Sequence, residues 1–273
     1  MDLGLFDAFF HSAILSFNFF IMQINLSNKI ILVTGASRGI GRAIAIALSQ
    51  SGATLALQYN RDEKAIRDVA KTCQNPVKIF QADFSIPHQI SAFYNRVIQE
   101  MGKVDVLINN AGIAIEIPDD APDNDWLDAF QTTLNVNLLT AAMLCKKALA
   151  DFKKQQNGII INISSRAAFR GDTADYLAYA ASKGGLVSLT RSIARMYGKF
   201  GITAFDVAPG FTRTDMAEQF IEEYGEEYAK QGIALPRLTE PKDIAPLIVF
   251  LASGFAEHAT GTTIDINAAS YVH

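Results

Sequence analysis

From residue 29 onward, short runs of β-branched and aliphatic residues alternate with longer stretches whose apolar positions recur every three to four residues. Apolar runs of this kind suit strands covered on both faces, and the amphipathic stretches suit helices lying on a sheet. The pattern predicts strands at 29–34, 54–59, 77–81, 104–109, 158–163, 202–207 and 263–266. Helices are expected at 39–50, 63–73, 87–101, 125–152, 178–197 and 242–251, with Ser85 capping the third and Pro87 in its first turn. Strand–helix alternation at this spacing specifies parallel pairing. The expected architecture is therefore α/β: one doubly wound, seven-stranded, mostly parallel sheet with helices on both faces. Its ligand crevice should lie beyond the carboxyl ends of the strands.

With 273 residues and a hydrophobic fraction of 49%, the chain can bury one large core. No Pro/Gly/Ser linker, charge block or repeat divides it, so a single domain is expected over 22–273, preceded by an apolar extension at 1–21. In that extension Leu3, Phe6, Phe10, Ala13 and Phe17 fall at helical spacing. Asp2 and Asp7 stand where a secretory signal would carry positive charge, no clean small-residue cleavage site follows, and His11 and Asn18 interrupt the run. Three readings stay open: an upstream stretch with Met22 as the true start, an amphipathic docking helix, or a membrane-facing anchor. The apolar run is near the lower length limit for a span, so a membrane is not the expected partner.

Charge narrows the partners further. A net charge of -4, with a pI near 5.6 and mixed signs along the chain, gives no electrostatic reason to expect nucleic acid. Cys73 and Cys145 are far apart, and His11, His88, His258 and His273 form no ligand spacing. Free thiols, a reducing cytoplasmic compartment and no metal are expected.

Candidate chemistry begins directly after the first strand, where Thr34-Gly35-Ala36-Ser37-Arg38-Gly39-Ile40-Gly41 leads into a helix. Glycines there permit a tight turn and close approach of backbone to a pyrophosphate, and the helix start offers free N–H donors. Further on, Tyr179 and Lys183 stand one helical turn apart, so the ammonium can lie beside the phenol and lower its pKa from roughly 10. A tyrosine so tuned can give or take a proton. Tyr176, with Ala180 four residues on, is a poor rival. Asn137 is a polar residue in an otherwise apolar helix and needs partners, as a structural amide or as a functional one; Asn135 lies on another face.

The glycine spacing resembles the TGxxxGxG of classical short-chain dehydrogenases/reductases. The resemblance runs from about Met22 onward, through Asn109-Asn110-Ala111-Gly112, Asn137, Ser165, Tyr179-x-x-x-Lys183 and Pro209-Gly210 in matching order and separation. In motif style the chain is most similar to 3-oxoacyl-carrier-protein reductases. The resemblance implies a Rossmann-type oxidoreductase that moves a hydride between nicotinamide and a carbonyl or secondary alcohol. Tyr179 would be the proton donor, Lys183 its tuner and the holder of the ribose hydroxyls, Ser165 (in preference to Ser164) the hydroxyl on the substrate oxygen, and Asn137 a water-holding relay. Cofactor contacts would come from Gly35, Ser37, Arg38, Gly39, Ile40 and Gly41 at the pyrophosphate, and from Asn110, Ala111 and Gly112 on the adenosine side. Asp83, followed by Phe84, would meet the adenine, and Pro209, Gly210, Thr212 and Thr214 the carboxamide. NAD-preferring relatives place a carboxylate after the second strand, where this chain reads Leu57-Gln58-Tyr59-Asn60-Arg61. Arg38 and Arg61 could instead clasp a 2′-phosphate, so NADP(H) is expected, with NAD(H) as the alternative because Asp62 and Glu63 follow at once.

Residues 213–236 are expected to form a lid, with Met216, Phe220, Ile221 and Tyr224 lining it and Glu218, Glu222, Glu223, Glu226 and Glu227 solvated. Lys153, Lys154, Arg191, Arg195 and Lys199 could receive an acidic carrier protein. The expected substrate is a small-molecule or acyl-linked carbonyl, a 3-oxoacyl thioester first and a sugar, polyol or other secondary alcohol second. A catalytically silent nucleotide-binding scaffold is the remaining class. One departure from the family is Asn267-Ala268-Ala269, where many relatives carry Gly-Gly. That region often forms subunit contacts, so a homo-oligomer, dimer or tetramer, is expected to pair through 125–152 and 178–197.

Overall fold

The computed structural model describes residues 24–272, without the side chains of Met216, Gln219, Phe220, Glu223, Tyr224 and Tyr228. The extension at 1–21 and the Met216, Phe220 and Tyr224 side chains of the expected lid thus lie outside the described residues. In chain order the elements are β1 (Ile30–Val33), α1 (Gly39–Gln50), β2 (Thr54–Tyr59), α2 (Glu63–Thr72), β3 (Val77–Gln81), α3 (Pro87–Met101) and β4 (Val106–Asn109). There follow α4 (Asp123–Leu134), a π-helical turn (Asn135–Leu139), α5 (Thr140–Gln155), β5 (Gly158–Ile163), α6 (Ala167–Arg170) and α7 (Leu177–Tyr197). The chain continues through β6 (Ile202–Pro209), α8 (Asp215–Tyr224), α9 (Glu226–Ala229), α10 (Pro241–Ser253) and β7 (Thr263–Ile266).

The strands form one sheet in the order β3-β2-β1-β4-β5-β6-β7, parallel throughout. Side-chain alternation splits its apolar residues between two layers. Ile31, Val33, Leu55, Leu57, Ile159, Ile161, Phe205 and Val207 pack against α1, α2 and α10. Leu32, Ala56, Leu107, Ile160 and Ala204 pack against α3, α5 and the end of α7. The order reverses between β1 and β4, which opens the crevice where their carboxyl ends diverge.

Two expectations fail locally. Ser85 does not cap α3: its hydroxyl bonds Asp83 Oδ1 at 2.7 Å, and the capping position falls to Ile86, which offers no side-chain acceptor. Residues 125–152 are not one regular helix but two helices joined by the π turn that carries Asn137, a wider turn of the type found at functional sites. Among the described residues no helix is long and apolar enough to cross a membrane.

Candidate active site

The glycine turn is built by exclusion. Gly35 adopts φ +64, and a Cβ there would stand 2.8 Å from Ala111 Cα. At Gly41 a Cβ would meet Gly35 O at 2.1 Å, so the first turn of α1 packs directly on the loop. Nothing caps that helix through a side chain and no acid sits in its first turn, which leaves its N–H groups and positive end turned to the crevice. These features fit a dinucleotide pyrophosphate. Ile40 packs against the core beneath, while Gly39, also left-handed, lies beside Thr214 at the start of α8.

Side chains from neighbouring strands brace the turn. Thr34 Oγ1 accepts from the backbone N–H of Asn110 and of Ala111, at 2.9 and 3.0 Å. The Asn110 amide donates to the carbonyls of Thr34 and Gly35. Buried Gln58 accepts from Gly35 N–H at 2.7 Å and donates to the Ala82 carbonyl at 2.8 Å. Gln58 was not among the expected site residues, although a lone amide in an apolar strand was the visible signal. Beyond it, Asn60, Arg61, Asp83, Ile86 and Gln89 line one pocket. The acids that follow Arg61 are engaged locally: Asp62 caps α2 by accepting from Ala65 N–H, and Glu63 pairs with Arg67. Asp83 lies in this pocket, with Oδ1 taking the Ser85 bonds. The Phe84 ring is buried edge-on against Phe93, so only its backbone can face a nucleotide.

The catalytic candidates converge on the other side of the switch point. Tyr179 lies in the first turn of α7 and Lys183 one turn on, its Nζ 5.6 Å from the Tyr179 ring centre. Lys183 is buried and donates to the Ile163 carbonyl at 2.8 Å. The π turn aims Asn137 at the same spot, where its amide both accepts from and donates to the backbone of Ile113 at 2.8 Å and donates to Ser182 Oγ at 3.0 Å. Gly112 leaves the gap between them open: a Cβ there would stand 3.3 Å from Asn137 Oδ1 and 3.5 Å from Lys183 Nζ. Ser165, at the end of β5, faces the Tyr179 phenol and also accepts from Ala167 N–H at 3.1 Å. Ser164 turns away to the Asp206 carboxylate, while Tyr176 is held by Glu116 and pushed up to about 12, chiefly by burial. Asn135 takes a bond from Gln131 instead of reaching this group.

The electrostatics correct one expectation. The phenol of Tyr179 is held above its usual range, because burial outweighs the lowering by Ser165 and then Arg166. Lys183 directs its ammonium to Ile163 O, and its own pKa is pulled down to about 8 by burial, with Asp206 opposing. Of the charged groups around the phenol, Asp172 raises it and Arg166, the residue after Ser165, lowers it.

The crevice closes with Pro209 and Gly210 at the end of β6, where Gly210 N–H donates to Ile266 O and a Cβ on Gly210 would collide with Asn267. Thr212 is buried, its hydroxyl donating to Gly210 O. Ser37 and Arg38 line the loop's outer face, and Arg38 is exposed. In the segment expected to form a lid, Glu226 is not merely solvated: it bridges Arg213 and Lys230. Ala268 and Ala269 occupy left-handed backbone at φ 52 and 57.

This arrangement has known counterparts. A family model described as enoyl-(acyl carrier protein) reductase matches residues 35–268. The 3-oxoacyl-[acyl-carrier-protein] reductase FabG of Staphylococcus aureus is 37% identical over 248 residues, covering 89% of this chain and 98% of that protein. FabG of Vibrio cholerae is 34% identical over 249 residues, covering 91% and 99%. Among solved structures, a putative gluconate dehydrogenase from Agrobacterium tumefaciens superposes with a TM-score of 0.84 at 26% identity, over 92% of this chain and 99% of that one. A putative NAD(P) dependent gluconate 5-dehydrogenase from Beutenbergia cavernae with bound NADP gives 0.84 at 27%, over 91% and 98%. With the parallel sheet and the glycine turn in place, the chain belongs to the short-chain dehydrogenase/reductase family of NAD(P)-dependent oxidoreductases acting on carbonyls and alcohols.

Proposed function

We propose that this protein is an NADPH-dependent reductase of 3-oxoacyl thioesters. The observation that carries this reading is the convergence of Ser165, Tyr179, Lys183 and Asn137 on one buried spot beside a glycine turn shaped for a pyrophosphate. The nicotinamide, when bound, supplies the hydride to the carbonyl carbon. Ser165 and Tyr179 hold the carbonyl oxygen, and Tyr179, kept protonated by its raised pKa, gives its proton to that oxygen as charge develops there. Lys183 steadies the resulting phenolate with its positive charge and holds ribose hydroxyls. Asn137, fixed to the Ile113 backbone, keeps a route open for the proton that restores Tyr179. Arg61, beside Asn60 and free of the locally engaged Asp62 and Glu63, takes the 2′-phosphate together with Arg38. FabG relatives over nearly the whole chain support the thioester.

One observation favours a second reading, a sugar acid. The Arg166 guanidinium is partly buried beside Tyr179, with its pKa lowered first by burial and then by Arg170, and Asp172 opposing. A desolvated cation there suits a carboxylate-bearing substrate. Initial rates with an acetoacetyl thioester and with 5-ketogluconate, each with NADPH and NADH, separate the two. The thioester with NADPH is expected to turn over fastest. Turnover of the keto acid alone would replace the first reading by the second, and equal use of NADH would remove the role given to Arg61.

A further inference from the structure

Asp206 lies at the centre of β6 with no exposed surface, on the sheet face covered by α7. It is in register with Asn162 of β5 and Thr263 of β7, and Asn162 in turn with Asn109 of β4. A row of polar side chains therefore crosses four neighbouring strands one layer beneath the catalytic group. Asp206 Oδ2 accepts from Ser164 Oγ at 2.7 Å, whereas Oδ1 has no hydrogen-bond partner. A buried carboxylate so sparsely bonded needs a cation. The charged groups facing it, Lys183 and Arg191, both come from α7, and the other polar neighbours are Ser164 and, without a formed hydrogen bond, Thr263. Lys183 donates to the carbonyl of Ile163, and Ile163 and Ser164 share one peptide bond. That peptide thus holds the ammonium by its carbonyl side and the carboxylate by the next hydroxyl.

We propose that Asp206 is the buried counter-charge of Lys183, a positioning residue that acts through the Ile163–Ser164 peptide to keep the lysine an ammonium and so sets the pH range over which Tyr179 can be served. The proposal rests on the role given to Lys183 above. Burial pushes Asp206 up to about 6 and pulls Lys183 down to about 8, and each charge partly opposes the other's shift. Between those values both groups are charged. Without the carboxylate, Lys183 keeps the burial that lowers it and loses the charge that raises it, so it surrenders its proton at lower pH.

The test is the variant Asp206→Asn, which keeps the shape and an acceptor for Ser164. In kcat/KM for carbonyl reduction the alkaline limb should move down by about one pH unit, the scale of a nearby charge, and Asp206→Glu should bring it part of the way back. A profile superimposable on the wild type overturns the proposal. The Lys183 titration is read without turnover in protein carrying [ε-13C]lysine, its resonance identified by loss in Lys183→Arg. A midpoint lowered in Asp206→Asn upholds the pairing even if no thioester is reduced, which would sink only the substrate reading; an unchanged midpoint overturns it. Should Asp206→Asn fail to fold, Asp206→Ser serves: it removes the same charge while leaving a small polar group, so the Lys183 midpoint and the alkaline limb must still move down, and an unmoved midpoint refutes the proposal.

Discussion

The two halves of the sheet handle polar groups in opposite ways. In the half that holds the glycine turn, from β1 to β3, the buried amide of Gln58 makes a bond at each end and the Thr34 hydroxyl serves two backbone donors. In the half from β4 to β7, where Tyr179 and Lys183 sit, the buried side-chain atoms without partners gather: Asn109 Oδ1, Thr133 Oγ1, Asp206 Oδ1, Thr263 Oγ1 and Ser270 Oγ among the described residues. Among the described residues, the left-handed non-glycine ones, Gln156, Ala268 and Ala269, also fall there. A nucleotide is held by shape, and shape is best fixed by satisfied, rigid backbone. Proton transfer needs groups whose pKa values stand off their usual ranges, and that requires burial without full compensation. Local disorder of preference is thus confined to the half that does chemistry.

The comparison breaks most sharply at Tyr179. Tyr179→Phe removes the proton donor and should lower kcat by roughly a hundredfold to ten-thousandfold, the usual worth of a positioned acid. Nucleotide affinity, measured by NADPH fluorescence, should stay within about threefold of wild type, since a shift that small is under 1 kcal/mol. Concurrent loss of affinity would mean that the halves are not separable.

Gly41→Ala attacks the other half. Its Cβ would lie 2.1 Å from Gly35 O, a backbone atom that cannot rotate away, so the loop must shift. Overpacking of this kind costs about 1–3 kcal/mol, which converts to roughly a tenfold to hundredfold weaker NADPH affinity. The pH limbs of kcat should not move, because neither Lys183 nor Asp206 is touched. A shifted alkaline limb in this variant would contradict the division.

How much of this could be read in the sequence follows the same line. The glycine turn was legible because glycine is dictated by backbone alone, and the strands because both faces are apolar. The helix at 125–152 looked continuous because a π turn adds a residue without changing composition; only the bonds from Asn137 to Ile113 and Ser182 betray the reason for it. The raised pKa of Tyr179 was not legible because spacing places Lys183 near the ring but says nothing of the burial of the phenol or of Ile163 O, which accepts from the ammonium. Asp206 was visible as an acid within an apolar run, yet its meaning depends on β5, β6 and α7 meeting in space.

The smallest effect is expected at the rim of the chemical half, at Ala268, where the family resemblance leads one to expect glycine. At φ 52 its Cβ is unfavourable by roughly 1–2 kcal/mol, part of which is offset by the stiffer unfolded chain that alanine gives over glycine, about 0.4–1 kcal/mol. Ala268→Gly should therefore be slightly stabilising, raising Tm by about 1–3 °C for a domain of this size. The Ala268 carbonyl accepts from Ala234 N–H at 2.8 Å, a bond that survives the change. Turnover should accordingly stay the same. Calorimetry and initial rates on one preparation decide what kind of strain this is: a higher Tm at unchanged kcat marks it as tolerated, unlike the under-satisfied carboxylate of Asp206. A higher Tm with a slower reaction would mean that the rim, too, is held out of its preferred state for the sake of catalysis, and the boundary between the two halves would then run outward through β7.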